Sequence, residues 1–328
     1  MELRNVQKTG RHSFIVTLPK DWINKHQIQQ KQPVFIETMK NGTLLIHPQV
    51  DQSSDMIEHP IEINQEQTPE EIFRTLLGIY LSGITSFHIY CKGQFQEETL
   101  DTIYQFEENF EGLEIREESL NSIHFECSEA LHISTLRRLF YRIVETLEYM
   151  FSDNIEMLKS EKMINLDKIT ENDHIINQTF WKISHLFNQF LNKPYLSPFS
   201  LSKFNKMFTI YLHLKKIGEN LVEFANSLAI FDISILEMTN THEITKLLEK
   251  NKHFLEIITD DIKDKNQGNI HSIFSNTQCV IDRCKFLTQK CSKGGESLLI
   301  SLRFLDLISR ISINIQNLCE IASNFSLS

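Results

Sequence analysis

Basic side chains are concentrated in the first 50 residues of this 328-residue chain, and the chemistry open to them is ionic binding of phosphate groups. These residues hold seven lysines and arginines against three acids, a net charge of +4. The whole chain carries −10, so residues 51–328 carry −14. This distribution attracts nucleic acid at one end and repels it at the other, although small domains often carry a few surplus lysines.

A second set of charged residues lies at helical spacing in the C-terminal part of the chain. Residues 214–219 and 305–310 align at an offset of 91 (305 minus 214), and each carries an acid and a base four residues apart. The pairs are Lys215 with Glu219 and Asp306 with Arg310. Side chains at i and i+4 share a helix face, so each pair can form an ion bridge. The alignment predicts an internal repeat, although two unrelated amphipathic helices can also align this well.

Other residue patterns give no sign of catalysis. The sequence has no G-x-G-x-x-G, P-loop, G-x-S-x-G or H-E-x-x-H motif. The 13 histidines are scattered, and we expect His174, His185 and His213 to pack on helices rather than to bind a ligand. None of the six cysteines forms a C-x-x-C pair, so buried, reduced thiols are expected. The chain is therefore predicted not to be an enzyme and to have no catalytic residues.

The basic segment, residues 1–48, predicts the order strand, strand, short helix, strand, strand. Residues 14–18 are rich in β-forming types, and Pro19 opens a helix that runs to about His26 and can bury Trp22 and Ile23. Residues 34–36 and 44–46 flank Asn41-Gly42, a strong hairpin signal. A segment of this size buries little core alone, so an interleaved dimer of two chains is the expected solution.

The rest of the chain predicts two further regions after a polar linker at residues 51–56. Residues 57–128 alternate strand and helix, with a helix start at Thr68-Pro69, and form a small α/β module with no visible chemistry. Residues 129–328 show apolar residues at 3-4 spacing throughout, which is typical of helical bundles. Six helices are expected, in two three-helix repeats at about 130–231 and 240–325; they lie near 130–159, 166–192, 199–231, 240–266, 269–291 and 295–325.

Residues 1–50 resemble the AbrB/SpoVT swapped-hairpin domain, which binds DNA and dimerises. The residues that carry the resemblance are Arg4, Val6, Gly10-Arg11, Leu18 to Trp22 and the strand pair around Asn41-Gly42. The resemblance implies that Arg4 and Arg11 contact DNA, with Lys8 and Lys20 in support. The family often has a Gly-Asp turn after the helix, and here Gln32-Pro33 stands in its place.

Residues 129–328 resemble PhoU, a regulator of phosphate uptake, as two three-helix halves. That family places two acids around Ile-Gly at i and i+4, and opposed faces of this kind hold metal clusters. In this chain Lys215 and Arg310 replace one acid of each motif, and Asn177 stands where another acid is expected. We therefore expect ion pairs in place of metal and no cofactor. The remaining acids, Glu171, Asp173, Glu219 and Asp306, leave a weaker metal site as the alternative.

The complete arrangement resembles archaeal PhoU-like regulators over nearly the whole chain. The resulting expectation is a multidomain, homodimeric and non-catalytic DNA-binding regulator of phosphate uptake. The alternative is an adaptor that binds phosphate ABC transporter components or a sensor kinase, for which the acidic body suits basic partners. No apolar run approaches the roughly 18 residues of a membrane span, and no signal peptide is visible, so a cytoplasmic location is expected.

Overall fold

The structure is a computed structural model of the whole chain, and it divides into two compact units, Met1–Ile57 and Glu58–Ser328. The residues that it describes are 3–10, 13–38, 42–48, 60–64, 66–128, 132–160, 166–192, 200–230, 238–264, 269–290 and 296–323. The predicted linker at 51–56 lies outside these residues. The two units are called the N-terminal unit and the second unit below.

The N-terminal unit has the predicted order of elements. They are β1 (Gln7–Thr9), β2 (Ser13–Ile15), α1 (Lys20–Lys25), β3 (Phe35–Thr38) and β4 (Leu44–His47). β1 pairs with β2 and β3 pairs with β4, both antiparallel, so the predicted hairpin over Asn41-Gly42 is confirmed by its strands, although Asn41 lies outside the described residues. Pro19 occupies the N-cap position, one residue before α1, rather than the first helical turn.

The described residues of the N-terminal unit form no buried core. Among residues 3–48, no side chain that the structure describes is buried, and Trp22 and Ile23 reach only partial burial. Eight large apolar side chains are exposed, namely Leu3, Val6, Phe14, Ile15, Val16, Phe35, Ile36 and Leu44. Burial of apolar surface is the main favourable term in folding, so a single copy of this unit lacks the usual source of stability.

The second unit begins with the α/β module. Its elements are β5 (Pro60–Glu62), α2 (Pro69–Leu81), β6 (Ser86–Tyr90), α3 (Glu97–Asn109), β7 (Leu113–Glu118) and β8 (Ser122–Cys127). The strand order is β5-β6-β8-β7, with β5 parallel to β6 and the other pairs antiparallel. Thr68 forms the predicted cap of α2, and its Oγ1 accepts from the Glu71 amide while the Glu71 carboxylate accepts from the Thr68 amide.

Six helices follow within the described part of residues 132–323, as predicted. They are α4 (Ile133–Ser160), α5 (Leu166–Asn192), α6 (Leu201–Ile230), α7 (Met238–Asp264), α8 (Ile270–Lys290) and α9 (Glu296–Ala322). α4, α5 and α6 pack on one another, and so do α7, α8 and α9. α6 also packs along α9, where the rings of Phe224 and Phe304 lie 4.7 Å apart, so both halves share one apolar core. None of the described helices is long and apolar enough to cross a membrane.

The α/β module is fixed to α5 by a close contact with the end of α2. His185 on α5 is buried, its Nδ1 lies 2.6 Å from the Tyr80 carbonyl oxygen, and its ring stacks on that of Tyr80. Asn188 Nδ2 donates to the Leu81 carbonyl oxygen at 2.6 Å. Gly83, which ends the turn after α2, has a φ of +80° and touches the α5 backbone. The module and the bundle therefore meet through backbone as well as side chains.

The three helical histidines contact other side chains or backbone, with His174 exposed and His185 buried. His174 Nε2 forms a hydrogen bond with Asn109 Oδ1 at 3.1 Å, and His213 Nδ1 forms one with Asn314 Oδ1 at 3.0 Å. His185 lies in the contact with Tyr80 that is described above. The prediction for the cysteines is only partly right. Four described cysteines are buried and burial raises the pKa of two of them, Cys284 and Cys319, to about 12, but Cys279 is exposed because it lies on the outer face of α8.

An ion bridge adds a charged link between the module and the bundle. Arg138 Nη1 lies 2.9 Å from one carboxylate oxygen of Glu111, and Lys182 Nζ lies 3.1 Å from the other. The Lys182 side chain is only 7 % exposed, whereas Glu111 is half-exposed. The hydrogen bonds from Arg138 and Lys182 lower the pKa of Glu111 to about 2.

We expect Glu111→Gln to lower the free energy of unfolding at pH 7 by about 1 kcal/mol, because it leaves the buried Lys182 ammonium without its carboxylate. The folded pKa of Glu111 lies below its usual 4.5, so its contribution is present above that pH and is lost as the pH falls towards 2. Urea denaturation between pH 3 and pH 7 measures the effect. The difference from wild type should shrink below pH 4.5, and the exposed Glu108→Gln should show no such trend.

Candidate nucleic-acid interface

The structure places the described basic residues of the predicted DNA surface on the exterior of the N-terminal unit. Arg4 precedes β1, Lys8 lies within β1, and Lys20 is the first residue of α1; all three are exposed. Arg11 lies outside the described residues, so its predicted contact stays a prediction. The three described side chains thus have the solvent access that phosphate binding requires.

Both hairpins of the N-terminal unit expose apolar residues, and on β1–β2 one of them lies beside Lys8. In the β1–β2 register Lys8 lies opposite Phe14, and neighbours across antiparallel strands point to the same face. In the β3–β4 pair Ile36 lies opposite Ile46, and Leu44 falls on that same face. Exposed apolar residues beside a lysine are more typical of a protein–protein interface that borders a charged binding surface. They are less typical of a surface that is only in contact with water.

The acidic positions of the helical region form the predicted ion pairs. Lys215 Nζ contacts the Glu219 carboxylate within α6, and Arg310 Nη2 lies 2.7 Å from Asp306 Oδ2 within α9. In each pair, the basic side chain therefore occupies the position next to the carboxylate that a bound cation would need. The positive charge that balances these acids is supplied by the chain itself.

Asp173 joins the first of these pairs from α5. Asn177 Nδ2 donates to Asp173 Oδ2 at 3.0 Å, so the amide at the position where an acid is expected binds the neighbouring acid. Burial raises the pKa of Asp173, the charge of Lys215 opposes that shift, and Glu219 adds to it. Asp173 therefore lies close to the predicted pair of Lys215 and Glu219, whereas Glu171 is exposed on the same helix.

Glu223 completes the second pair, and sequence reasoning did not single it out. Its carboxylate binds Arg303, and its other oxygen lies 3.8 Å from Arg310 Nη1. The sequence does contain a pattern that indicates it: Glu223 lies one helical turn after Glu219 on α6, so the two acids share one helix face. The resulting network joins α6 to α9 through charges in addition to the apolar core.

Two comparisons with known proteins find a match. Residues 7–53 match the family described as antidote-toxin recognition MazE, bacterial antitoxin. This match confirms the predicted type of the N-terminal domain. Among solved structures, the chain is similar to the crystal structure of the phosphate transport system regulatory protein PhoU from Streptococcus pneumoniae. The two share 16% sequence identity and a TM-score of 0.49, over 58% of this chain and 92% of that one. Comparison with curated proteins finds no match.

Proposed function

We propose that this chain is a homodimeric, non-catalytic DNA-binding regulator, and that two copies pair through their N-terminal units. The observation that carries the proposal is the N-terminal unit without a buried side chain among its described residues. Burial of its exposed apolar residues, among them Phe14, Ile36 and Leu44, would stabilise the unit. A second copy offers an apolar surface of the same composition against which they can pack. A twofold pair of this kind also doubles the number of basic side chains on one surface.

DNA is the partner that the charge of the unit favours. The net charge of +4 in residues 1–50, against −14 in the remainder, concentrates attraction for phosphate at this end. The match of residues 7–53 to an antitoxin family supports a recognition domain here. Control of phosphate uptake is the narrower part of the proposal, and it rests on the sequence resemblance of residues 129–328 to PhoU.

We expect the dimer to bind a fluorescent mixed-sequence duplex of about 30 base pairs, with an affinity that falls steeply as salt rises because counterions are released. Arg4→Ala/Arg11→Ala should weaken binding at least roughly tenfold and reduce the slope of log K against log salt by about 1 for each lost contact. Fluorescence anisotropy over a salt series measures both quantities.

Lys246→Ala is the matched control, because it removes an exposed lysine from α7 in the second unit and should leave the titration unchanged. Equal affinity of wild type and the double variant would contradict the proposed surface. If the dimer does not bind the duplex even at low salt, the proposal fails. The adaptor function, which the acidic body favours, would then take its place.

A further inference from the structure

The sheet of the α/β module has one apolar face and one polar face. Phe87 and Ile89 of β6 and Ile123 and Phe125 of β8 are buried against residues of α2 and α3. Because side chains alternate along a strand, the residues between them point to the opposite face. His88 and His124 therefore lie on the polar face, and they are direct cross-strand partners.

A β-bulge brings a third side chain to the two histidines. Ile115 of β7 lies opposite Phe125 and Glu117 lies opposite His124, so Arg116 is the extra residue on the bulged strand. Without it the residue opposite His124 would be Arg116, whereas the bulge presents a carboxylate there. Bulges often re-aim a side chain in this way and are frequent next to functional sites.

Neighbouring contacts on this face suit a cation. Arg116 is paired with the carboxylates of Glu114 and Glu126, at 2.9 and 2.5 Å. Two carboxylates thus hold the one guanidinium of the bulge, and the carboxylate of Glu117 adds a further negative charge beside the two imidazoles. With neutral histidines, the three carboxylates and the one guanidinium on this face therefore sum to a negative charge of −2.

The distances bring three ligand atoms within reach of one ion. One nitrogen of His88, one nitrogen of His124 and one carboxylate oxygen of Glu117 all lie within 4.8 Å of one another. The two imidazole rings stack with their centres 4.1 Å apart. Tetrahedral zinc with bonds of about 2.0–2.1 Å has its ligand atoms about 3.3 Å apart, so closing the cluster needs side-chain shifts of about an ångström.

Ser86 supplies the outer contact that a metal-binding histidine usually has. Its Oγ lies 2.8 Å from His124 Nε2, and both side chains are buried. When Nε2 donates its hydrogen to Ser86, Nδ1 carries the lone pair that a metal requires. This contact also fixes the orientation of the ring, because His124 cannot rotate without breaking it.

We propose that His88, Glu117 and His124 form a binding site for a divalent transition metal of the zinc type, with the remaining coordination positions taken by water. Two imidazoles and one carboxylate favour zinc, iron, cobalt or nickel over magnesium and calcium, which prefer oxygen ligands alone. A metal held here would tie together the three strands β6, β8 and β7. The three residues belong to the second unit, and none of them is one of the acidic positions of the helices.

The test is titration of the full-length, EDTA-dialysed protein with CoCl₂ and ZnCl₂, followed by visible absorption and calorimetry. We expect one metal per chain at this site, with cobalt bands typical of mixed nitrogen and oxygen ligands. His88→Ala and Glu117→Gln should each weaken binding more than tenfold, and Ser86→Ala by roughly 10- to 100-fold as an outer contact. Glu117 is exposed, so its substitution should leave the fold intact even if changes at the buried His124 do not.

Two controls locate the metal. Glu118→Gln changes the next residue of β7, whose partner is Ile123 on the apolar side of the sheet, and should bind metal as wild type does. Asp173→Asn/Asp306→Asn removes one acid next to the first helical ion pair and the acid of the second, and should also have no effect. Absence of binding by wild type would overturn the proposal. Binding that survives His88→Ala and Glu117→Gln, or that is lost in the helical variant, would overturn it as well.

Discussion

Gly83→Ala is expected to lower the free energy of unfolding of the second unit by about 3 kcal/mol or more. A Cβ at this position would lie 2.2 Å from the backbone nitrogen of Gln189 and 2.6 Å from the carbonyl carbon of Asn188. Both are backbone atoms of α5, so no side chain can rotate to make room. The φ of +80° adds strain for any residue with a Cβ.

Gly78→Ala is the matched control for this substitution. Gly78 lies five residues earlier, inside α2 and exposed, and a Cβ there would meet no atom within 4 Å. Alanine at a helical position of this kind is expected to stabilise by about 0.5–1 kcal/mol. Urea denaturation followed by circular dichroism compares the two variants. A Gly83→Ala protein as stable as wild type would contradict the close contact between the module and α5.

Ile36→Asp/Leu44→Asp is expected to abolish DNA binding by preventing assembly of the N-terminal unit. Both residues lie on one face of the β3–β4 hairpin and are among the exposed apolar residues that the proposed dimer buries. Full burial of each such side chain contributes about 1.5–3 kcal/mol, and a buried unpaired carboxylate costs more. In a twofold dimer each change occurs twice, so the combined loss exceeds what most interfaces tolerate.

Gln29→Asp controls for the added charge, because it changes an exposed polar residue of the same unit. Anisotropy with the duplex and analytical ultracentrifugation give the two measurements, and the control should behave as wild type apart from a small electrostatic loss. The helical content of the double variant should stay unchanged, because the bundle lies in the second unit. DNA binding of wild-type strength by the double variant would contradict dimerisation through this face.

Local sequence patterns predicted much of the fold, because helix formation and capping depend on residues that are close together in the sequence. The 3-4 spacing of apolar residues gave α4 to α9 to within a few residues, and Thr68-Pro69 marked the start of α2 through its cap. The docking of the module on α5 was not predictable in this way. It depends on a backbone contact between Gly83 and Gln189, and sequence spacing carries no information on contacts of that range.

At the candidate sites too, contacts within one element were predictable from the sequence, whereas contacts between distant elements were not. Lys215 and Arg310 identified the ion pairs, since both partners of each lie on one helix. The cluster of His88, Glu117 and His124 was missed because its members come from three strands and because one of them is placed by a bulge. Strict alternation along β7 places Glu117 on the opposite face of the sheet. The β7–β8 register, with its bulge, must therefore be known before the three residues can be assigned to one site.

The absence of buried side chains among the described residues of the N-terminal unit bears on the effect of protein concentration in the cell. A unit that is completed only by a second copy has a stability that depends on protomer concentration. For the proposed dimer, at concentrations well below its dissociation constant, the number of assembled pairs rises with the square of the copy number. Under the proposed function, a modest change in expression produces a disproportionate change in the amount of assembled dimer, and abundance itself then acts as a regulatory input.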